Sequence, residues 1–296
     1  MNTIKITKMQ GCGNDFVIID YSEFEKTNME MSDLAKKICD RNFGVGADGM
    51  IIPKTDCADA DGMIIPKTDC ADADISWYFF NSDGSIAQMC GNGMRCFAKY
   101  VYDKKIVNKK EFTVKTLAGI IKPLLLDNGL VKVNMGKPVL VPEQVPCKLT
   151  KCLEQKIIVD GKFYSINAVS MGNPHCIIFV HDDSDLLELA KNVGPKFEHH
   201  EIFPEKTNVE FIRVKSRNEI DLRVWERGCG ITLACGTGAC ASVVASILNN
   251  LTDNKVKVNL LGGALNIEWC GSLGDMRQDV YMSGPAEYCF FADYLL

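Results

Sequence analysis

Two short segments constrain this chain more than anything else in it. CGNGMRC occupies 90–96 and CGTGAC occupies 235–240. Each reads Cys-Gly-polar-Gly, and each leads directly into a run with helical spacing. Glycine after the cysteine lets the backbone approach a ligand closely and adopt angles closed to other residues. The first turn of a helix leaves four N–H groups without intrahelical partners, and their dipoles attract an anion. A cysteine at such an entrance is drawn toward thiolate. The pattern therefore predicts two helix mouths of one design, each with a thiol and a place for a carboxylate. A thiolate base and a thiol acid around one small anion suit the transfer of a proton from one face of a carbon to the other. Two blander readings stay open: Cys90 and Cys235 joined as a disulfide, or both buried as small side chains.

The flanking pattern repeats in style. In the first half, 5–20 reads as strand, glycine loop and strand, followed by a helix over 31–42 with Ser32 as N-cap. GVGADG is a tight glycine loop, and ISWYFFNSDGS a strand closed by an Asn-x-Asp-Gly turn. The helix over 92–103 comes next. In the second half, 164–171 reads as a strand, GNPH as a turn and CIIFV as a strand. DSDLLELAKNVG is a capped helix, VEFIRV and IDLRVWER are strands, and a helix runs over 237–249. That last helix is apolar on most faces, which places it inside a sheet layer.

With 296 residues the chain is long enough for two domains with ample core. Its net charge of −5 and lack of a basic run argue against nucleic acid as a main partner. No apolar stretch reaches the roughly 20 residues that span a bilayer, so a membrane is not expected. MNTIKITKMQGCG has no apolar signal core, and a cytoplasmic location is expected. In a reducing cytosol most of the 14 cysteines are free thiols. Cys39, Cys176, Cys270 and Cys289 stand among apolar residues and are expected in the core. Without a C-x2-C pair, and with four histidines, a zinc site is disfavoured.

DGMIIPKTDCADA stands at 48–60 and again at 61–73, identical at every position. Perfect identity fits a recent duplication or, the reading we favour, an error in assembling the sequence. If both copies stand, one must loop out. The longer closure costs under about 1 kcal/mol.

Polar residues gather in other loops. GCGNDF carries Asn14, MGNPH places Asn173 and His175 at a turn, PEKTNVEF starts a strand at Asn208, and VWERGCG ends one with Glu226 and Arg227. Asparagine in a turn usually serves the turn. Together, however, such residues suit the ammonium and carboxylate groups of an amino acid, and a forked Arg matches a carboxylate.

GCGNDFVIID, FGVGADG, FFNSDGS, AQMCGNGMRCFAKYVYD, VSMGNPHC, FPEKTNVEF, VWERGCGITLACGTGACA and VYMSGPAE follow one another through nearly the whole chain. On these segments the sequence resembles the diaminopimelate epimerase family. The resemblance implies an α/β (α+β) fold of two pseudo-symmetric domains, each a mostly antiparallel sheet wrapped around a central helix. It places the active site in the cleft between them. The domains fall at 1–134 with about 280–296, and at 135–279. It implies epimerisation of diaminopimelate without a cofactor or metal, and commonly a homodimer. Cys90 and Cys235 match the acid/base pair. Gly91, Asn92, Gly236 and Thr237 match the residues that bind the reacting carboxylate. Asn14, Asn81, Asn173, Asn208, Glu226 and Arg227 match substrate contacts, and His175 and Glu226 match positions that adjust the thiols. A further contact falls on Gly49 or Gly62. The repeat departs from the family pattern, as does Ile231, where many members carry Glu. The segment 271–278 is longer than usual and reads as a surface loop. Rival functions are racemisation of another amino acid such as histidine, ligand binding without catalysis, and thiol redox chemistry.

Overall fold

The computed structural model describes residues 2–54 and 73–296. Apart from Ala73, the second copy of the repeat lies outside the described residues, and Gly62 with it. The chain divides into two compact units, Met1–Val133 with Gly284–Leu296, and Asn134–Ser283.

The first unit contains β1 (Thr3–Gly11), β2 (Asn14–Ile18), α1 (Tyr21–Phe24), α2 (Met31–Cys39), β3 (Gly49–Lys54), β4 (Ile75–Asn81) and α3 (Gly91–Asp103). Short strands β5 (Val114–Thr116), β6 (Gly119–Ile121), β7 (Leu124–Leu125) and β8 (Val131–Asn134) follow. One sheet runs in the order β18-β1-β2-β3-β4-β5-β6, where β18 is Glu287–Leu295 near the end of the chain. Its pairs are antiparallel except β2 with β3 and β4 with β5. All six residues of β3 are buried, as befits a strand covered on both faces. On one face Met50 and Ile52 meet Leu34, Ala35 and Ile38 of α2. On the other lies α3, whose Phe97 meets Trp77 edge-on with ring centroids 5.4 Å apart. The turn after β4 forms as read, with Gly84 at φ +80° donating its N–H to Asn81 O.

The second unit contains β9 (Gln155–Val159), β10 (Lys162–Ser170), β11 (Pro174–Phe179), α4 (Leu186–Glu198), β12 (Asn208–Ser216), β13 (Glu219–Glu226), β14 (Gly230–Ile231), α5 (Gly236–Leu248), β15 (Lys255–Leu260), β16 (Gly263–Glu268) and β17 (Tyr281–Gly284). Within this unit the strands run in the order β17-β16-β15-β13-β12-β11-β10-β9, with β14 paired to β13. Two pairs are parallel, β11 with β12 and β13 with β15. Residues 238–246 of α5 are all buried, and the helix rests on β10, β11, β12 and β16. That is the interior helix its composition demands. Val209 and Phe211 of β12 point into the core beneath α4, which puts Asn208 and Glu210 on the opposite face.

Four expectations need correction. Ser32 does not cap α2: the cap is Glu30, without a side-chain bond, and Ser32 Oγ donates to Gly84 O instead. His175 lies within β11 and is fully buried, because the strand resumes two residues earlier than the turn pattern suggests. Cys270 and Cys289 are exposed. Apolar neighbours along the chain do not bury either one: Cys270 follows the buried Trp269 beyond the end of β16, and Cys289 sits on the edge strand β18. Finally, α4 continues through Gly194 and Pro195 to Glu198. Glycine there answers to packing rather than to a stop, since a Cβ at Gly194 would stand 2.5 Å from Trp225 Cβ. Gly194→Ala is therefore expected to push α4 off β13 and destabilise the protein by about 1–3 kcal/mol. A lowered urea midpoint would show this.

Candidate active site

Each unit builds a cluster around one cysteine. In the first unit Cys90 is the N-cap of α3, in extended conformation, and its Sγ accepts the Gly93 N–H at 3.5 Å. The same thiol donates to Asn14 Oδ1 at 3.5 Å, and Asn92 Nδ2 donates to that oxygen at 3.2 Å. Asn92 is held in turn by Arg95, fully buried, whose Nη1 donates to Asn92 Oδ1 at 2.8 Å and whose Nε donates to Pro285 O at 3.0 Å. Asn14 is anchored by Asp48, which accepts from its Nδ2. Arg41 bridges Asp48 at 2.7 Å and Asp15 at 2.8 Å, and Lys8 pairs with Asp15 at 2.7 Å. Cys90, Asn14, Gly91 and Asn92 thus form one set. Asn81 stands apart at the exposed end of β4, donating to Ser85 Oγ. Gly49 faces it across the ladder, and a Cβ there would stand 2.7 Å from Phe79 Cε2 and from Phe80 O. Packing calls for a glycine at that position.

In the second unit Cys235 is the N-cap of α5, and its Sγ accepts the Gly238 N–H at 3.3 Å and lies 3.5 Å from Thr237 Oγ1. Burial pushes this thiol well above its ordinary pKa, and the negative charges of Glu226 and Glu210 push the same way. The bonds from Thr237 and Gly238 only partly offset that, so the direction is opposite to the one expected of a cysteine at a helix entrance, because burial outweighs the helix N-terminus. His175 sits beside it, with Nδ1 2.6 Å from Glu210 Oε1 and Nε2 3.0 Å from Asn173 Oδ1. Asn208 is committed to the scaffold: its Nδ2 donates to Pro174 O and its Oδ1 accepts from Arg227 N. Glu226 accepts from Thr232 Oγ1, and Arg227 is exposed and donates to Glu205 O. Ile231 occupies β14 and packs on the core under α4.

One nitrogen of His175, one carboxylate oxygen of Glu210 and Cys235 Sγ lie within 4.8 Å of one another. Two donors about 2.0–2.1 Å from a tetrahedral zinc stand roughly 3.3 Å apart. The 2.6 Å contact between His175 and Glu210 is that of a hydrogen bond. Residues that supported these clusters without being singled out in the sequence are Arg95, Arg41, Asp48 and Glu210. The signal for Glu210 was a lone carboxylate in NVEFIRV, two residues after Asn208 and so on the same strand face. Among the described residues neither Cys90 nor Cys235 is in a disulfide.

The architecture is that of a known class. A PhzF-family phenazine biosynthesis protein from Bacillus anthracis superposes with a TM-score of 0.70 at 17% identity, covering 100% of both chains. A hydroxyproline epimerase from Agrobacterium vitis does so with 0.66 at 10% identity, over 99% of this chain and 93% of that one. Sequence narrows the class. The diaminopimelate epimerase family model matches residues 6–141 and 167–289. The diaminopimelate epimerase of Desulfitobacterium hafniense is 48% identical over 297 residues, covering 97% of this chain and 96% of its own. That of Halothermothrix orenii is 45% identical over 292 residues, covering 96% and 95%. The chain belongs to the diaminopimelate epimerase family, and it is an isomerase. Among the described residues no helix is long and apolar enough to cross a membrane.

The ionic set behind Asn14 has a testable acid limit. Burial opposes ionisation of Asp15, but hydrogen bonds from Arg41 and Lys8 outweigh it and hold the carboxyl down at about 2, against an ordinary 3.8. A depressed folded-state value stabilises the protein above the ordinary pKa, and that contribution is lost as pH falls from about 4 toward 2. Asp15→Asn is expected to lower the urea midpoint at pH 7 and to flatten its decline across that window.

Proposed function

We propose that this protein interconverts LL-2,6-diaminopimelate and meso-2,6-diaminopimelate, with Cys90 and Cys235 as the acid/base pair and without a cofactor. Family membership supports the substrate. The observation that carries the chemistry is the matched capping geometry. Two cysteines, one per unit, each accept the third amide of a largely buried helix through sulfur.

The mechanism follows from what that geometry supplies. A thiolate takes the α-proton, and the electron pair left on the α-carbon spreads into the adjoining carboxylate. That pair is hard to bear in water, because the α-proton of an amino acid is a very weak acid. Amides at the start of α3 (Gly91, Asn92) and of α5 (Gly236, Thr237) are the donors assigned to that carboxylate. Donors fixed in advance stabilise developing charge without reorganising. The second thiol then delivers its proton to the opposite face. Each turnover exchanges the roles of the two sulfurs: one ends protonated, the other as thiolate. Burial disfavours thiolate at Cys235, and the direction of reaction decides which sulfur acts as base. The reading requires both sulfurs to reach one α-carbon from opposite sides.

Asn14, Asn81, Asn173, Asn208, Glu226 and Arg227 are assigned to the substrate's polar groups, with Asn208 acting through the Pro174 and Arg227 backbone that it holds. His175 and Glu226 are assigned to tuning the thiols. We place the reaction in the cytoplasm, in the supply of lysine and peptidoglycan precursors, and expect a homodimer.

Cys90→Ala and Cys235→Ala are each expected to lower epimerisation of LL-diaminopimelate by about 1,000-fold or more, followed by chiral chromatography of reduced protein. Near-normal turnover in either variant would remove the two-thiol assignment.

A further inference from the structure

Glu210 is a carboxyl in an unusual place. It is fully buried in β12, between Val209 and Phe211, which are equally buried. Taking a carboxylate out of water costs several kcal/mol unless partners replace the water. Glu210 has one close partner, His175 Nδ1 at 2.6 Å. Its second oxygen, Oε2, has no hydrogen-bond partner among the described residues. Most buried side-chain polar atoms have a hydrogen-bond partner, and an unpartnered carboxylate oxygen asks for an explanation. The helix facing it is also shaped around it. A Cβ at Gly238 would stand 2.6 Å from Glu210 Oε1 and 3.1 Å from Cys235 Sγ. Glycine at that position lets carboxylate and sulfur close on the same helix turn.

The ring of His175 meets an oxygen at each nitrogen. Nδ1 faces Glu210 Oε1, and Nε2 faces Asn173 Oδ1 at 3.0 Å. Neutral imidazole has one N–H and one acceptor nitrogen, whereas imidazolium has two N–H groups. Two acceptor oxygens fit the second form. Burial pushes the Glu210 carboxyl up and a charged His175 pulls it back down; ionised, Glu210 supplies the counter-charge at 2.6 Å. The two charges together are neutral overall, and a neutral pair is the form in which such groups persist in a core.

We propose that Glu210 is a positioning residue that keeps His175 oriented and protonated beside the sulfur of Cys235. The inference deepens the two-thiol reading and rests on it for its catalytic meaning. The imidazolium opposes the burial that keeps Cys235 a thiol, and so lets it become thiolate when the other sulfur starts protonated. The remaining titratable groups around the cluster are Glu226, at the end of β13, and the buried thiol Cys176, next to His175 on β11. Glu226 disfavours thiolate at Cys235 whatever the state of His175.

The sign of one shift decides the matter. If Glu210 only repels the thiolate across a neutral His175, Glu210→Gln makes Cys235 easier to ionise. If Glu210 maintains the imidazolium, the same variant removes the cation and makes Cys235 harder to ionise. The experiment is iodoacetamide alkylation of the reduced full-length protein across pH, read at the Cys235 peptide by mass spectrometry. Glu210→Gln is expected to move the midpoint for Cys235 upward by about one unit or more. His175→Gln is expected to move it in the same direction, and the double variant no further than either alone. The Cys90 midpoint serves as the control and stays in place. A downward shift or no shift in Glu210→Gln overturns the proposal, as do additive shifts in the double variant. Should Glu210→Gln not fold, an upward shift in His175→Gln bears on the cation directly, and its absence overturns the proposal. Kinetics add a second readout: kcat for LL-diaminopimelate is expected to fall about 100-fold in Glu210→Gln, with KM changed far less. Alkylation needs no substrate. An unmodified protein that fails to turn over diaminopimelate would therefore reject the functional reading and leave the alkylation result to judge Glu210.

Discussion

Everything at the candidate site depends on a sulfur standing where a helix normally wants an oxygen. Ser, Thr, Asp and Asn are the usual N-caps, and an oxygen cap contributes about 0.5–2 kcal/mol. Cys90 and Cys235 instead offer sulfur to the amides of Gly93 and Gly238, at 3.5 and 3.3 Å. A neutral thiol is a weak acceptor. A thiolate is a strong one, and there the helix dipole adds to the bond. The arrangement gives up some cap strength in the resting protein and regains it when the sulfur is charged. That is the behaviour a reversible proton carrier requires.

The sulfur can do this only if its helix is sheltered and rigid. In the second unit shelter comes from composition. Ala239, Ala241, Val243, Val244 and Ala245 of α5 are all fully buried against the strands around it. In the first unit α3 is amphipathic, and rigidity comes from polar anchors: Arg95 on Asn92, and the Lys8, Asp15, Arg41 and Asp48 set behind Asn14. The two clusters thus reach the same capping geometry by different means. One relies on apolar packing around a thiol whose ionisation is disfavoured by burial, the other on a chain of partly exposed ion pairs.

Much of this was legible in the sequence, for identifiable reasons. The Cys-Gly-polar-Gly loops fixed the starts of α3 and α5 because glycine spacing, a capping residue and an apolar run all agreed. The strand from Asn208 and the strand ending at Glu226 were legible from alternation. What escaped was set by tertiary contact. Ser32 looked like a cap, but the turn at Gly84 takes its hydroxyl. The helical reading ends at Gly194, but α4 runs on to Glu198, and Trp225 leaves room only for glycine at 194. Cys270 and Cys289 had apolar neighbours along the chain but point away from the core. Glu210 and Arg95 read as ordinary charges, because nothing local announces that a charge will be fully buried. The identical repeat was visible at once, and Gly49–Lys54 of its first copy form β3.

The central claim is that two different sulfurs handle the two faces of one carbon. The most direct test is early-time epimerisation of LL-diaminopimelate in D2O, with deuterium at the α-carbon measured separately in the meso product and in recovered substrate. Two thiols acting on opposite faces predict that the product gains solvent deuterium while recovered LL substrate stays protiated. Equal early labelling of both pools would mean that one group removes and returns the proton, and would contradict the account.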